Sequence, residues 1–155
     1  MPPRLAWAGE IAKLTWDMVL DPTGGIGSGI ELRDIAAKNG SGRLIPAHPD
    51  LRQGLAAYRS LSTGIGPVIR SERGGPMTPL SIVVWFNRAF RNIGLNGCSS
   101  HSGRRTFITR AARLVHRVGG SLRDVQLLAG HRSIQTTQRY IDGDTDAQRK
   151  LVAMI

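Results

Sequence analysis

Three short stretches toward the C-terminal end combine a nucleophile, proton carriers and fixed cations. His101-Ser102-Gly103-Arg104 enters one helical pattern, Gly130-His131 closes the next, and Tyr140 follows His131 by nine residues. Three residues apart, His101 and Arg104 share one helical face. Singly, each has an ordinary explanation, since a lone His is usually a satisfied surface or core group and a Tyr is usually packed. Together they supply what attack at phosphorus needs, namely an attacking oxygen, groups that move protons and cations for the non-bridging oxygens. A free phenol has a pKa of about 10, so at neutral pH it needs a cation or base beside it to act as a nucleophile.

These residues lie in the most basic part of the chain. The 155 residues carry 21 basic and 11 acidic side chains, a net charge of +10, and 18 of the 21 are Arg. Residues 101–140 hold eight Arg and a single acid, Asp124, and so account for +7 of the +10. Most charge runs are solvated faces. A segment with apolar periodicity and almost no acids repels itself unless it meets an anion, and the Arg fork matches phosphate oxygens two at a time. A nucleic acid is the expected partner.

Other chemistries fit less well. The acids are few and scattered, which disfavours a two-metal nuclease, and no metal or cofactor is expected. Asp142-Gly143-Asp144-Thr145-Asp146 fails as a calcium loop, because Ala147 stands where Gly is needed and Ala153 where Glu is needed. One of these acids is expected to cap the last helix. Residues 24–29 are Gly-rich but lack both a dinucleotide fingerprint and a phosphate loop, so they read as a connector. The single cysteine, Cys98, excludes an internal disulfide and a multi-Cys metal site. No apolar run reaches the roughly 18–20 residues of a membrane span, and Met1-Pro2-Pro3-Arg4 is no signal peptide. A cytoplasmic protein is expected.

The elements that must position these residues are mostly helical. A first helix is predicted over about 4–19, with Ile11, Leu14 and Met18 on one face. Residues 30–35 and 43–46 read as strands of a hairpin whose turn holds Asn39-Gly40, with Lys38 at its tip or shoulder. Helices follow at about 50–60 and from Thr78-Pro79, the latter buried through Val83, Phe86, Phe90 and Ile93. Phe107, Ala111, Leu114 and Val118 predict a helix over 102–118 that ends at Gly119-Gly120. Ser121 and Asp124 resemble a capping box for a helix stopping at Gly130. Ser133 starts a short helix to about Tyr140, and a last one spans about 145–155. The fold class is mainly α (α+β), a single domain of helices with one small antiparallel sheet.

The stretches His101-Ser102-Gly103-Arg104-Arg105-Thr106-Phe107 and Leu128-Ala129-Gly130-His131-Arg132-Ser133-Ile134-Gln135-Thr136-Thr137-Gln138-Arg139-Tyr140 resemble the catalytic domain of tyrosine recombinases, the phage-integrase family. Lys38 to Pro46 is similar to that family's hairpin with its catalytic lysine, and Gly9 to Trp16 to the helix after its first catalytic arginine. The resemblance implies that Tyr140 attacks the scissile phosphate, forms a 3′-phosphotyrosine and releases a 5′-hydroxyl. Arg104 grips non-bridging oxygens, Lys38 protonates the leaving oxygen, His101 assists proton transfer and His131 hydrogen-bonds the phosphate. Arg43, Arg105, Arg132 and Arg139 are expected DNA contacts. The phosphodiester energy is kept in the covalent ester, so rejoining needs neither ATP nor metal.

The chain departs from that pattern at the first arginine, three residues before Glu10, where it has Trp7. The separate DNA-gripping domain that normally precedes this one is expected to be absent, and Arg4 is one helical turn from the vacated position. The stretch between Arg104 and His131 looks about one helical turn longer than usual, with residues 114–120 the expected site of the extra length. Three readings follow: a recombinase that cuts and rejoins DNA, a truncated and catalytically impaired DNA-binding remnant, and a helix-turn-helix regulator built from 121–130 and 133–140. Against the regulator stand Lys38 and the His101/Arg104 pair, which it does not require. The last helix either closes the domain's own core or docks on a second copy in a DNA-dependent oligomer.

Overall fold

Local signals and long-range pairing together set the elements of this computed structural model, which describes residues 6–37, 40–141 and 145–155. The predicted positions of Arg4, Lys38 and the capping acids at 142–144 lie outside the described residues. Contacts divide the chain into two compact units, Met1–Gly103 and Arg104–Ile155. Among the described residues there are seven α-helices and one two-stranded sheet, so the mostly helical expectation holds. No helix among them is long and apolar enough to cross a membrane.

In the first unit, α1 (Ala6–Ala12) ends well before the predicted residue 19. The chain then makes a 3-10 turn at Trp16–Met18. Long-range pairing overrides helical propensity here: Trp16 N–H donates to the Gly66 carbonyl at 2.9 Å, Val68 N–H donates to that of Leu14 at 2.9 Å, and Thr15 bridges Pro67. Trp16 thereby enters a core with Val19 and Val68, its ring stacked on Tyr58 at 6.0 Å. The Gly-rich stretch is a connector over 24–28, one residue shorter than expected because Gly29 joins a strand, and it is anchored where Asp21 Oδ1 accepts from the Thr23 and Gly25 N–H groups, both at 2.9 Å.

β1 (Gly29–Leu32) and β2 (Arg43–Pro46) pair antiparallel, Gly29 opposite Pro46 and Leu32 opposite Arg43. β1 stops three residues short of the predicted Ile35. The Arg33 carbonyl accepts from both Ala36 and Ala37 N–H at 2.9 Å, which bends the chain into a turn. At Gly42 an added Cβ would lie 2.8 Å from Asp34 Oδ1 and 2.9 Å from the Leu32 carbonyl oxygen, so only glycine fits the return.

α2 (Pro49–Ser60) and α3 (Pro79–Asn92) both begin with Pro at the first helical position. The Thr78 hydroxyl caps α3 by accepting from Ser81 N–H at 3.1 Å. The buried face of α3 differs from prediction. Ile82 is its buried residue and packs with Ala8 and Ala12 of α1, whereas Ile93 is 69% exposed. Val83, Phe86 and Phe90 are half-buried, and Trp85 is exposed.

Helix α4 (Ser100–Leu114) runs into a 3-10 turn at Val115–Val118 and ends at Gly119 with φ 72°. Its predicted apolar face is one residue out of phase. Ile108, Ala112 and Val115 are buried, with Val125 and Ala129, while Phe107, Leu114 and Val118 are exposed. Both sets repeat at i, i+4, i+7, so periodicity alone cannot choose between them. In the second unit α5 (Leu122–Ala129), α6 (Ile134–Gln138) and α7 (Thr145–Val152) follow. The capping box of α5 is present: Asp124 Oδ2 accepts from Ser121 N–H at 2.7 Å and from its hydroxyl at 2.9 Å. Leu151, Val152, Met154 and Ile155, the apolar residues of the last helix, are all exposed, so of its two expected roles they do not perform the first, closing the core.

Candidate functional site

The site in the second unit is built where α5 ends. The last carbonyls of a helix lack intrahelical partners. Gly130, at φ 66°, takes the left-handed conformation that reverses the chain just before His131. Arg104, on α4, donates from Nη2 to the carbonyl of Ala129 at 2.6 Å. The guanidinium is therefore fixed to the backbone two residues before His131.

Gln126 pins the backbone of His131 twice. Its main-chain carbonyl accepts from His131 N–H at 3.1 Å, and its side-chain Nε2 donates to the His131 carbonyl at 2.9 Å. Gln126 is only 2% exposed, and its Oε1 accepts from Arg123 at 2.8 Å, so the buried amide is satisfied at both ends. The imidazole is held separately. His131 Nδ1 lies 2.9 Å from Thr137 Oγ1 on α6, and the Tyr140 ring stacks on the imidazole at 5.6 Å and 19°. Tyr140 is half-buried against the Ile108–Val125 core, and its carbonyl accepts from the Thr109 hydroxyl at 3.3 Å.

Three predicted residues, Arg104, His131 and Tyr140, are thus gathered around one helix terminus. A phenolic oxygen, an imidazole and a guanidinium can together serve one tetrahedral phosphate. His101 stands one turn before Arg104 on α4 and is half-buried. Arg105, Arg132 and Arg139 are exposed.

Arg43 requires correction as a DNA contact. Its two terminal nitrogens donate to the two carboxylate oxygens of Glu10 at 3.2 and 3.0 Å, with the side chains only 12% and 9% exposed. A fork closed on a buried carboxylate ties β2 to α1 and is withdrawn from the surface. Trp7 lies on α1, half-buried, three residues before Glu10. Thr137 and Gln126 escaped sequence reasoning. The only signal for Gln126 was a polar residue between two apolar positions of α5, and Thr137 had none beyond its place three residues before Tyr140. Among the described residues no group of three His, Cys, Asp or Glu could hold a metal ion.

The model of the phage integrase family matches residues 8–146. The chain belongs to that family. Among curated relatives, the tyrosine recombinase XerC of Brucella suis biovar 1 (strain 1330) is 32% identical over 142 residues, which cover 88% of this chain and 42% of the relative. XerC of Mesorhizobium japonicum is 35% identical over 118 residues, covering 72% and 36%. The chain thus spans about two-fifths of the length of these curated relatives. A crystal structure of XerA recombinase superposes with a TM-score of 0.71 at 24% identity, covering 95% of this chain and 50% of that one. The Tn1549 transposon integrase, solved in complex with transposon right end DNA, gives 0.66 at 21%, covering 97% and 56%. These similarities establish the phage-integrase fold.

Proposed function

We propose that this chain carries the strand-cleaving and rejoining chemistry of a site-specific DNA recombinase, acting on double-stranded DNA through a 3′-phosphotyrosine. The supporting observation is the stack of Tyr140 on His131 beside the Ala129 carbonyl that holds Arg104. The Tyr140 phenolic oxygen bonds to phosphorus and loses its proton. The P–O5′ bond breaks, and the 5′ oxygen takes up a proton. Rejoining is the reverse, with a 5′-hydroxyl attacking the phosphotyrosine, so the ester energy is conserved.

Arg104 serves the non-bridging oxygens and His131 hydrogen-bonds one of them. His101 assists proton transfer and Lys38 supplies the proton to the 5′ oxygen. These roles carry over from the family resemblance. Arg105, Arg132 and Arg139 contact the DNA backbone, and the protein, of prokaryotic or phage origin, works in the cytoplasm on nucleoid DNA. The exposed apolar end of α7 docks on a second copy when both bind DNA, which light scattering with and without DNA tests on the full chain and on one cut after Asp144.

A nicked DNA substrate, from which the cleaved strand diffuses away, tests the chemistry. The parent chain accumulates a covalent protein–DNA adduct and Tyr140→Phe forms none. Trp7 favours a second reading, a catalytically impaired DNA-binding remnant, because a preorganised donor to the transition state is missing where the family has arginine. That reading expects salt-sensitive DNA binding by parent and variant alike, with no adduct from either.

A further inference from the structure

A neutral imidazole carries one proton, and the nitrogen that holds it decides whether the other edge of the ring donates or accepts. At His131 the inner nitrogen, Nδ1, lies 2.9 Å from Thr137 Oγ1. Thr137 is fully buried, and His131 is the only hydrogen-bond partner of its hydroxyl among the described residues.

That hydroxyl has one proton to place. Accepting from an Nδ1–H would leave its own O–H buried with nothing to receive it. Donating to a bare Nδ1 satisfies the donor and leaves only spare lone pairs, which proteins tolerate better than orphaned donors. We infer that Thr137 is a positioning residue that holds His131 in the tautomer with its proton on Nε2, so that the outer edge of the ring is a hydrogen-bond donor. Stacking against Tyr140 limits the remaining freedom, rotation of the ring.

The mechanistic consequence rests on the proposed role of His131 at the phosphate. An Nε2–H stabilises charge growing on a non-bridging oxygen. It cannot at the same time accept the phenolic proton of Tyr140, which must pass to another group. Thr137 therefore separates electrostatic stabilisation from base catalysis.

Long-range proton–nitrogen NMR of the full, DNA-free chain reads the tautomer directly, with His131→Gln identifying the signal among the four histidines. Recorded at a pH where the ring has lost its second proton, the parent spectrum is expected to show the remaining proton on Nε2. Thr137→Val, similar in shape but without the hydroxyl, gives a mixture of tautomers and slows adduct formation about 10–100-fold, by analogy with the partners that orient metal-bound histidines. Thr137→Ser restores both. An Nδ1–H pattern in the parent, or an unchanged spectrum in Thr137→Val, overturns the inference. Should the valine variant not fold, the parent and serine spectra still decide. Spectra as expected with no adduct from the parent would support the tautomer assignment while refuting the proposed chemistry.

Discussion

At the scale of single residues, the arginines of this chain divide into those closed on protein and those facing out. Removing Arg43 leaves the Glu10 carboxylate nearly buried without its fork, and breaking such a pair costs about 3–5 kcal/mol. Urea denaturation of Arg43→Ala is expected to show that loss. Trp7→Arg places a guanidinium on α1 at the position where the family carries one, and is expected to raise adduct formation by about 10²-fold. No increase over a parent that already reacts well would remove the account of the missing arginine. That Tyr140, His131 and Arg104 come together around one helix end was legible in the sequence from their types and spacings. Arg43 was misread because charge is visible in a sequence, whereas a partner 33 positions away is not. Thr137 was invisible for a related reason: its role lies in being buried against one ring nitrogen.

Elements carry their own predictions, most clearly at the two ends of α5. Hydrogen bonds from the Ser121 backbone N–H, first, and from its hydroxyl hold the Asp124 carboxyl below its ordinary 3.8. A folded-state pKa below the unfolded one stabilises the fold above the unfolded value and loses that effect as pH falls through the folded one. The melting temperature of Asp124→Asn should therefore lie below that of the parent at pH 7, with the gap closing below about pH 4. At the other end, Gly130→Ala forces a Cβ into the left-handed region and costs about 1–2 kcal/mol. Calorimetry reads the cost, and adduct formation should fall as well because His131 is the next residue. Caps, Pro starts and Gly stops were readable because they act within a few residues. The phase of α4 was not, since two equally spaced apolar sets compete and packing against Val125 and Ala129 selects the one through Ile108. The early ends of α1 and β1 were hidden likewise, one by pairing near Gly66 and the other by the turn after Arg33.

For the whole molecule, the governing property is charge concentrated in residues 101–140. Each phosphate neutralised adds about 0.9 to the slope of log affinity against log salt on duplex DNA. Arg132→Ala and Arg139→Ala are each expected to lower that slope by about 1 in a salt titration. The tryptophans are distributed just as unevenly. Trp7, Trp16 and Trp85 all belong to Met1–Gly103, and Arg104–Ile155 contains none. Tryptophan emission, excited beyond tyrosine absorption, therefore follows the unfolding of the first unit, with the 1% exposed Trp16 as its most sensitive reporter, while far-ultraviolet dichroism follows the helices of both. Superimposable melts by the two probes mean one cooperative transition. A dichroism step silent in emission means that the unit carrying Tyr140 melts by itself.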